Sequence, residues 1–288
     1  MPIQTAFIAD IHGNTPALRA VLDDIAAERC SQVYMLGDLI NGLDPHGSAA
    51  LLQDWSAAAG VPVTCIRGNA EAYLLTPERQ NLPRQDEEWN IGIIALVQWF
   101  EDHLSAADLD WIRSFPETLQ WDDAYLVHDS PLDRLAVKRI ADPDILPHQR
   151  EWFFHGRGIK PGGVDTERQQ LLEWMTAGGI TQVYCGHTHV PFYQQIDSRL
   201  VCNAGSVGMP LDGDPRPAWV LAQSNGVGLP RLEIRRVDYN LDEQLRRIDQ
   251  TLDYPDFDNP QVRWAFKRWA ETGIYWRAHL PPSSPAAA

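Results

Sequence analysis

Short apolar runs alternate with helical patterns over the first 66 residues, and this order constrains the fold more than any other feature of the chain. Residues 5–9, 32–36 and 63–66 are compact apolar runs typical of buried strands. Between them, residues 15–29 and 47–59 repeat apolar side chains at a helical period. Strands that alternate with helices favour a sheet with helices on both faces and right-handed crossovers. We therefore predict an α/β fold.

The start of the first helix is indicated by Thr15 followed by Pro16. Thr is a common N-cap residue, and Pro suits the first helical position because its missing N–H has no partner there. We therefore place the N-cap at Thr15. The middle of the chain continues the mixed pattern, with helices at 90–101, 106–114 and 166–177 and strands at 124–127 and 182–185.

The last third of the chain changes character. Residues 192–196, 200–202, 219–222 and 232–237 are spaced like the strands of hairpins, which predicts a second, mainly antiparallel sheet. A helical pattern then returns. These shifts divide the chain into a main domain at 1–238 with an inserted loop region at 131–163, a helical extension at 239–276, and a tail at 277–288 that we expect to be disordered.

Composition excludes several classes of protein. The net charge of −15 disfavours general binding of nucleic acids and of anionic membranes. Because no apolar run approaches the roughly 18 residues needed to span a bilayer, and no basic leader precedes one, we expect a cytoplasmic protein. The cysteines lack CxxC spacing, so we expect reduced thiols in the core: Cys30, Cys65, Cys185 and Cys202.

Residues of the types that bind metals follow the predicted strands. Asp10 and His12 stand two apart just beyond the first strand, and His187 and His189 repeat this spacing after a later one. Because the carboxyl ends of such strands meet at one edge of a sheet, we expect these side chains to converge. The full set of candidate ligands is Asp10, His12, Asp38, Asn69, His128, His187 and His189.

Carboxylate, imidazole and amide ligands suit Mn, Fe, Zn or Ni. Two such ions, about 3.5–4 Å apart and bridged by a carboxylate and a hydroxide, can polarise a phosphoryl group and supply the nucleophile. A lone histidine would not support this interpretation, but seven residues in one pattern do. Two dications outweigh two carboxylates and a hydroxide by about one positive charge, so the site would attract phosphate even in an acidic protein.

The order Asp10-x-His12, Gly37-Asp38, Gly68-Asn69, His128 and Gly186-His187-x-His189 resembles that of the calcineurin-like metallophosphoesterases. The resemblance extends from about residue 4 to residue 222. The runs at 10–14 and 203–208 are most similar to the compact bacterial and archaeal, phosphodiesterase-like branch.

The resemblance implies a four-layer sandwich of two mixed sheets flanked by helices, here followed by the C-terminal helical extension. It also implies a division of the ligands between two divalent ions. In that division Asp38 bridges the ions, Asp10, His12 and His189 hold the first, and Asn69, His128 and His187 hold the second.

Ala70 departs from the family pattern, because many members carry a histidine directly after the motif asparagine. That histidine is thought to protonate the leaving oxygen or to bind phosphate. General acid–base catalysis is worth about 10²–10⁴-fold, so we expect a preference for substrates with good leaving groups. His148 or His155 could replace the acid, although both are also consistent with surface loop residues.

Other candidate site residues lie beside the ligands. Asp38 and Asn69 are predicted to act in catalysis as well as in metal binding. Arg67 is a candidate for catalysis and for a bidentate phosphate contact, or else for a salt bridge that closes its loop. Asn14 is a candidate contact to substrate oxygens. Glu71 is better suited to steadying a helix N-terminus or a histidine than to acid–base chemistry.

The sequence predicts a dinuclear metal-dependent phosphoesterase acting on a small phosphorylated molecule: a phosphodiester, a nucleotide, or a phosphomonoester with a good leaving group. A phosphoprotein phosphatase, a dinucleoside polyphosphate hydrolase and a metal-binding scaffold on the same fold remain alternatives. Val262, Phe266 and Trp269 form an apolar stripe, which suggests core or subunit packing and leaves a homo-oligomer plausible.

Overall fold

The computed structural model describes residues 2–75, 87–129, 164–255 and 257–274. The predicted insertion at 131–163, with His148 and His155, lies outside the described residues, as does the predicted tail at 277–288. Within the described ranges the chain forms ten strands and eight helices.

The strands are β1 (Ile3–Ile8), β2 (Gln32–Met35), β3 (Val63–Cys65), β4 (Thr118–Trp121), β5 (Ala124–Val127), β6 (Gln182–Cys185), β7 (Phe192–Ile196), β8 (Arg199–Asn203), β9 (Ala218–Ser224) and β10 (Arg231–Arg236). The helices are α1 (Thr15–Ala27), α2 (Pro45–Ala59), α3 (Asn69–Leu75), α4 (Glu87–His103), α5 (Ala106–Arg113), α6 (Val164–Ala177), α7 (Leu241–Gln250) and α8 (Pro260–Thr272).

Two five-stranded mixed sheets form the centre of the molecule. The first has the order β10-β9-β1-β2-β3, and the second has the order β4-β5-β6-β8-β7. Strands β1, β2 and β3 run parallel, as the alternation of strands and helices predicts, and β5, β6 and β8 form a second parallel set. Antiparallel neighbours flank each parallel core: β9 and β10 in the first sheet, β4 and β7 in the second.

The prediction that the late strands form a sheet of their own is wrong. Strands β7 and β8 join the second sheet, whereas β9 and β10 join the first, where β9 pairs antiparallel with β1. Hairpin spacing indicates only which strands are neighbours along the chain. The stretch between Asn203 and Ala218 crosses from one sheet to the other, and no periodicity in the sequence marks that change of partner.

The layers follow from what each sheet face buries. Between the sheets, the ring of Phe7 stacks on that of Tyr184 with centroids 3.9 Å apart, and apolar side chains of both sheets surround the pair. Helices α1, α2 and α4 cover the outer face of the first sheet, and α6 covers the second through Leu171 and Met175. The α/β/β/α sandwich is confirmed.

The N-cap of α1 is Asn14, one residue earlier than predicted. Its side-chain oxygen accepts a hydrogen bond from the N–H of Ala17 at 3.1 Å. Thr15 is the first helical residue instead, and its hydroxyl donates to Asp44. Either residue type can cap a helix, and the fold selects Asn14 because its amide nitrogen also reaches the carbonyl of Gly208.

The C-terminal helices pack on the same core as the first sheet. Ile248, Tyr254 and Phe257 are buried in the cluster that also contains α1 and α2, and Phe266 packs against it. The predicted apolar stripe on α8 therefore faces the protein's own interior at Phe266. All four cysteines are free and buried, as expected. No helix in the described part of the chain is both long and apolar enough to cross a membrane.

Candidate metal centre

The seven candidate ligands meet at one edge of the sandwich, just beyond the carboxyl ends of β1, β2, β3, β5 and β6. The backbone there is unusual, because five of the seven have positive φ. The values are 52° for Asp10, 49° for His12, 56° for Asp38, 65° for His187 and 59° for His189. Residues other than glycine rarely adopt this backbone conformation, and it persists only where the surrounding structure enforces it.

Asp10, His12 and His189 form the first cluster. The Nε2 atoms of the two histidines lie 3.0 Å apart, and Oδ1 of Asp10 lies 3.2 Å from Nε2 of His189 and 3.6 Å from Nε2 of His12. All three side chains are buried.

The second cluster is built around His128. Its Nε2 atom lies 3.2 Å from Oδ1 of Asn69, 3.3 Å from Nδ1 of His187 and 3.5 Å from Oδ1 of Asp38. Asp38 also faces the first cluster, because its other oxygen, Oδ2, lies 3.9 Å from Nε2 of His12. One carboxylate therefore has one oxygen directed to each cluster.

Backbone carbonyls fix the orientation of three of the imidazole rings. Nδ1 of His12 bonds the carbonyl of Asn41 at 2.8 Å, Nδ1 of His128 that of Leu36 at 2.7 Å, and Nδ1 of His189 that of Met209 at 2.6 Å. A carbonyl only accepts, so each Nδ1 carries a proton, and Nε2 is the atom that offers a lone pair to the site when its ring is neutral.

The two buried carboxylates of the site stabilise positive charge beside them. Burial disfavours charge on His128, yet Asp38 and Asp10 raise its pKa to about 10. Burial likewise disfavours charge on Asp38, but His128 holds its pKa down at about 2. For Asp10, too, the nearby His189 and His12 outweigh burial and hold the pKa below its usual value. The carboxylates therefore favour protons on His128 and His12 where no metal cation balances their charge.

The donor set fits two divalent ions. Ligands about 2.1 Å from a common tetrahedral or octahedral ion lie roughly 3.0–3.4 Å from one another, which is close to the spacing within both clusters. Oδ1 of Asp10 is buried and receives no hydrogen bond from the described residues, although two ring nitrogens face it. Lone pairs that face lone pairs at such distances are stabilised by a cation between them.

Three glycines let the strand ends approach closely. A Cβ on Gly68 would lie 2.2 Å from Oδ1 of Asp38, and one on Gly186 would lie 2.6 Å from Oδ2 of Asp10. A Cβ on Gly37, whose φ is +96°, would lie 2.6 Å from Nδ1 of His128. The glycines of the sequence motifs are therefore needed for space beside the ligands.

Glu71 holds the loop that carries Asp38. It is fully buried and accepts hydrogen bonds from the backbone N–H groups of Gly68, Asp38, Leu39 and Ile40 at 2.8–3.3 Å. The sequence indicated a supporting role for Glu71 but not this partner loop. Ser206 supports the first cluster similarly, since its hydroxyl donates to the carbonyl of Asp10. Ser206 lies in the run at 203–208, but its residue type alone predicts no such role.

The remaining candidate residues are placed less directly. Arg67 donates to the carbonyl of Phe115 at 3.1 Å and lies 3.7 Å from Glu117, which matches the alternative of a loop-closing contact. Asn14 is buried, with its amide used by Ala17 and Gly208. Their roles toward substrate stay predictions. The methyl group of Ala70 lies within the apolar core, and its N–H donates to Asp38.

The C-terminal extension reaches the first cluster. The indole N–H of Trp269 donates to the carbonyl of Pro210 at 2.8 Å, and its ring lies nearly parallel to that of His189 with centroids 6.3 Å apart. The residue before Pro210 is Met209, whose carbonyl orients His189. The sequence did not connect α8 with the ligands, because nothing in its pattern indicates such a contact.

A four-layer sandwich with histidines and carboxylates gathered at one sheet edge defines a metallophosphoesterase. The chain belongs to the calcineurin-like phosphoesterase superfamily, whose domain matches residues 3–226. Its identification from the sequence motifs is confirmed.

Individual relatives are distant but similar over most of their length. An uncharacterised protein of Methanocaldococcus jannaschii is 24% identical over 84% of this chain and 90% of its own. The phosphodiesterase YfcE of Escherichia coli is 24% identical over 73% of this chain and 82% of its own. The crystal structure of a metallophosphoesterase from Sphaerobacter thermophilus superposes with a TM-score of 0.61 at 21% identity, covering 95% of this chain and all of that one.

Proposed function

We propose that the protein is a dinuclear metal-dependent phosphoesterase that hydrolyses a small phosphorylated substrate. The observation that carries this proposal is the placement of Asp38, whose two oxygens face two separate clusters of ligand-type atoms. We assign Asp10, His12 and His189 to one ion, Asn69, His128 and His187 to the other, and Asp38 to both. The family relationship and the name of the relative YfcE support a phosphoester substrate.

When bound, two divalent ions polarise a phosphoryl oxygen and lower the pKa of water, so that a nucleophile forms near neutral pH. The protein's part is to hold the ligands in position. The carbonyls of Asn41, Leu36 and Met209 orient three of the imidazoles so that Nε2 faces the metals. Glu71 fixes the loop of Asp38 through three N–H bonds. Little movement of these groups is therefore needed during the reaction.

The substrate we propose has a good leaving group. Ala70 offers no proton, so an aryl phosphate, a nucleotide or a phosphodiester is better suited than a simple alkyl monoester. The native metal is set by availability as well as by the ligands, because Mn, Fe, Zn and Ni all accept this donor set.

The test is hydrolysis of an aryl phosphate monoester and the matching diester by protein supplied with Mn²⁺. We expect turnover of at least one, and loss of at least about 10²-fold in kcat for Asp38→Asn, which removes the shared carboxylate charge. Asp54→Asn, at an exposed position on α2, is the matched control and should retain activity. Metal-loaded protein that turns over neither ester would contradict the proposal and favour a metal-binding scaffold.

A further inference from the structure

A pocket adjoins the first cluster on the side of the C-terminal extension. His12 and Met209 form the wall that belongs to the metal centre, and Tyr239, Gln244, Phe266 and Trp269 form the opposite wall. That opposite wall lies beyond residue 226, where the superfamily domain ends. The family resemblance therefore accounts for the metal centre but not for this pocket.

Gln244 is the polar group of the pocket that stands out. Only 8% of its surface is exposed, and its Oε1 atom receives no hydrogen bond from any described residue. Gln244 lines the pocket, and the terminal torsion of glutamine has a broad energy minimum, so its amide group can turn toward a molecule bound there. An amide oxygen only accepts hydrogen bonds, and a buried one is stabilised by any donor that reaches it.

The other walls of the pocket restrict which molecule can carry a hydrogen-bond donor to Gln244. Phe266, Trp269 and Met209 are apolar, and Trp269 is anchored by its bond to the carbonyl of Pro210. The free space amounts to about 30 Å³. On the same measure a water molecule needs about 10–15 Å³, so the enclosed part of the pocket suits a short chain with one small terminal group better than a nucleobase.

We propose that this pocket is a subsite for the ester substituent that a phosphodiester substrate keeps when its better leaving group departs: a short alkyl arm that ends in a hydrogen-bond donor, either a hydroxyl or an ammonium group. The inference rests on the proposed function, since the phosphoryl group would sit at the neighbouring metal centre. Gln244 accepts from the terminal group, and the aromatic walls enclose the methylene groups. Phe266 and Trp269 both line the pocket, and an ammonium group that meets the face of either ring gains further through cation–π attraction.

Non-hydrolysable phosphonates test the subsite without turnover. In 3-hydroxypropyl- and 3-aminopropylphosphonate a methylene replaces the ester oxygen, and butylphosphonate has a methyl group in place of the donor. Calorimetry on Mn²⁺-loaded protein should give at least about tenfold tighter binding for one or both donor arms than for the butyl arm, because an isosteric arm cannot satisfy the amide oxygen. The tighter of the two identifies the donor.

Variants on α7 separate the subsite from the rest of the protein. Gln244→Met keeps the length of the side chain but loses the acceptor, so the preference for a donor arm should fall to about one. Gln250→Met, at an exposed position on the same helix, should keep the preference. Thermal unfolding shows whether each variant folds. If Gln244→Met does not fold, the series of phosphonates on the unaltered protein still tests whether the pocket prefers a donor arm.

The outcomes distinguish this inference from the proposed function. Methylphosphonate has no arm and reports the metal centre alone, so its failure to bind would remove the proposed function together with the inference. Binding of methylphosphonate with equal affinities for the donor and butyl arms would overturn only the inference. A preference that survives in Gln244→Met, or a tighter fit for a bulky 3-phenylpropyl arm, would overturn it as well.

Discussion

The proposed chemistry depends most on the position of Asp38, and the lack of a side chain at Gly68 makes that position possible. A methyl group at Gly68 would lie 2.2 Å from Oδ1 of Asp38 and 2.3 Å from its backbone nitrogen. Neither atom can move freely, because Ala70 and Glu71 both bond this segment. The absence of a side chain at residue 68 therefore leaves Asp38 in the position that the proposed metal binding requires.

We expect Gly68→Ala to lower Mn²⁺ affinity by about 10–100-fold, the usual effect of disturbing the groups that orient a ligand. Calorimetric titration with Mn²⁺ measures it. Gly178→Ala is a suitable control, since its Cβ would meet a side-chain carbon of Ile180 at 3.2 Å, far from the clusters in the fold. Equal affinities for the two variants would contradict the role of Asp38 in binding.

The raised pKa of His128 makes metal binding depend on pH. With a pKa of about 10, the metal-free imidazole is protonated at neutral pH, and an ion must displace that proton. Apparent Mn²⁺ affinity should therefore rise with pH up to about 10, by roughly tenfold per pH unit for each proton released. Calorimetry at pH 6.5 and 8.5 in buffers of different ionisation enthalpy measures both affinity and proton release. Affinity that does not change with pH would contradict this prediction.

The sequence predicted the seven ligand-type residues because chemistry limits which side chains can bind a metal. It did not predict the groups that orient them, since the carbonyls of Asn41, Leu36 and Met209 belong to residues of any type. Nor does a residue pattern reveal that five ligand-type residues adopt positive φ. That conformation arises only when the strands around the edge are assembled.

At the scale of elements, helix α8 links the C-terminal extension to the metal centre. Trp269 donates to the carbonyl of Pro210, and the preceding carbonyl, that of Met209, orients the ring of His189. Met209 and Pro210 are adjacent in the chain, so we expect a change at Trp269 to shift the carbonyl that orients His189. A helix outside the superfamily domain thus contacts the segment that supports the first cluster.

Trp269→Phe removes the indole N–H while keeping an aromatic ring. We expect the first cluster to bind Mn²⁺ about tenfold more weakly, with the second cluster unaffected. Counting tightly bound ions by elemental analysis after limited dialysis should give a loss approaching one ion per chain. Trp264→Phe is the matched control, because Trp264 lies on the same helix but is 43% exposed. Identical ion counts in the two variants would exclude the positioning role.

Elements with strong periodicity were predicted well, and those defined by their partners were not. Strands β5, β6 and β7 have the predicted bounds; β5 and β6 are compact runs of mostly buried residues, and β7 was placed by the hairpin spacing. Strand β4 was missed, since only Leu119 of its four residues escapes exposure, and an exposed edge strand shows no apolar pattern. The division of the late strands between two sheets depends on long-range packing, which hairpin spacing does not encode.

At the scale of the whole molecule, the predicted boundary at residue 238 separates the main domain from helices that share its core. Ile248, Tyr254 and Phe257 are buried against the cluster that includes α1 and α2. Removing such a side chain lowers the free energy of unfolding by roughly 2–5 kcal/mol. The loss of all three is comparable to the whole free energy of unfolding of an ordinary domain, about 5–15 kcal/mol. The extension is therefore expected to fold as part of the main domain.

A chain ending at residue 238 should accordingly unfold at a much lower temperature than the full chain, or fail to fold. Thermal unfolding followed by circular dichroism measures the difference. Removing only residues 277–288 is the control, and we expect little change from it. An unchanged melting temperature for the 1–238 chain would show that the extension is an independent unit.

The pocket beside His12 has one wall from the superfamily domain and one from the last two helices. Mutations in those helices can alter which substituent is accepted while the metal-binding loops stay unchanged. Selection can thus diversify substrate preference through the final fifth of the chain alone. Exchanging α7 and α8 between relatives of this architecture is therefore a practical route to new specificities, with the reaction itself preserved.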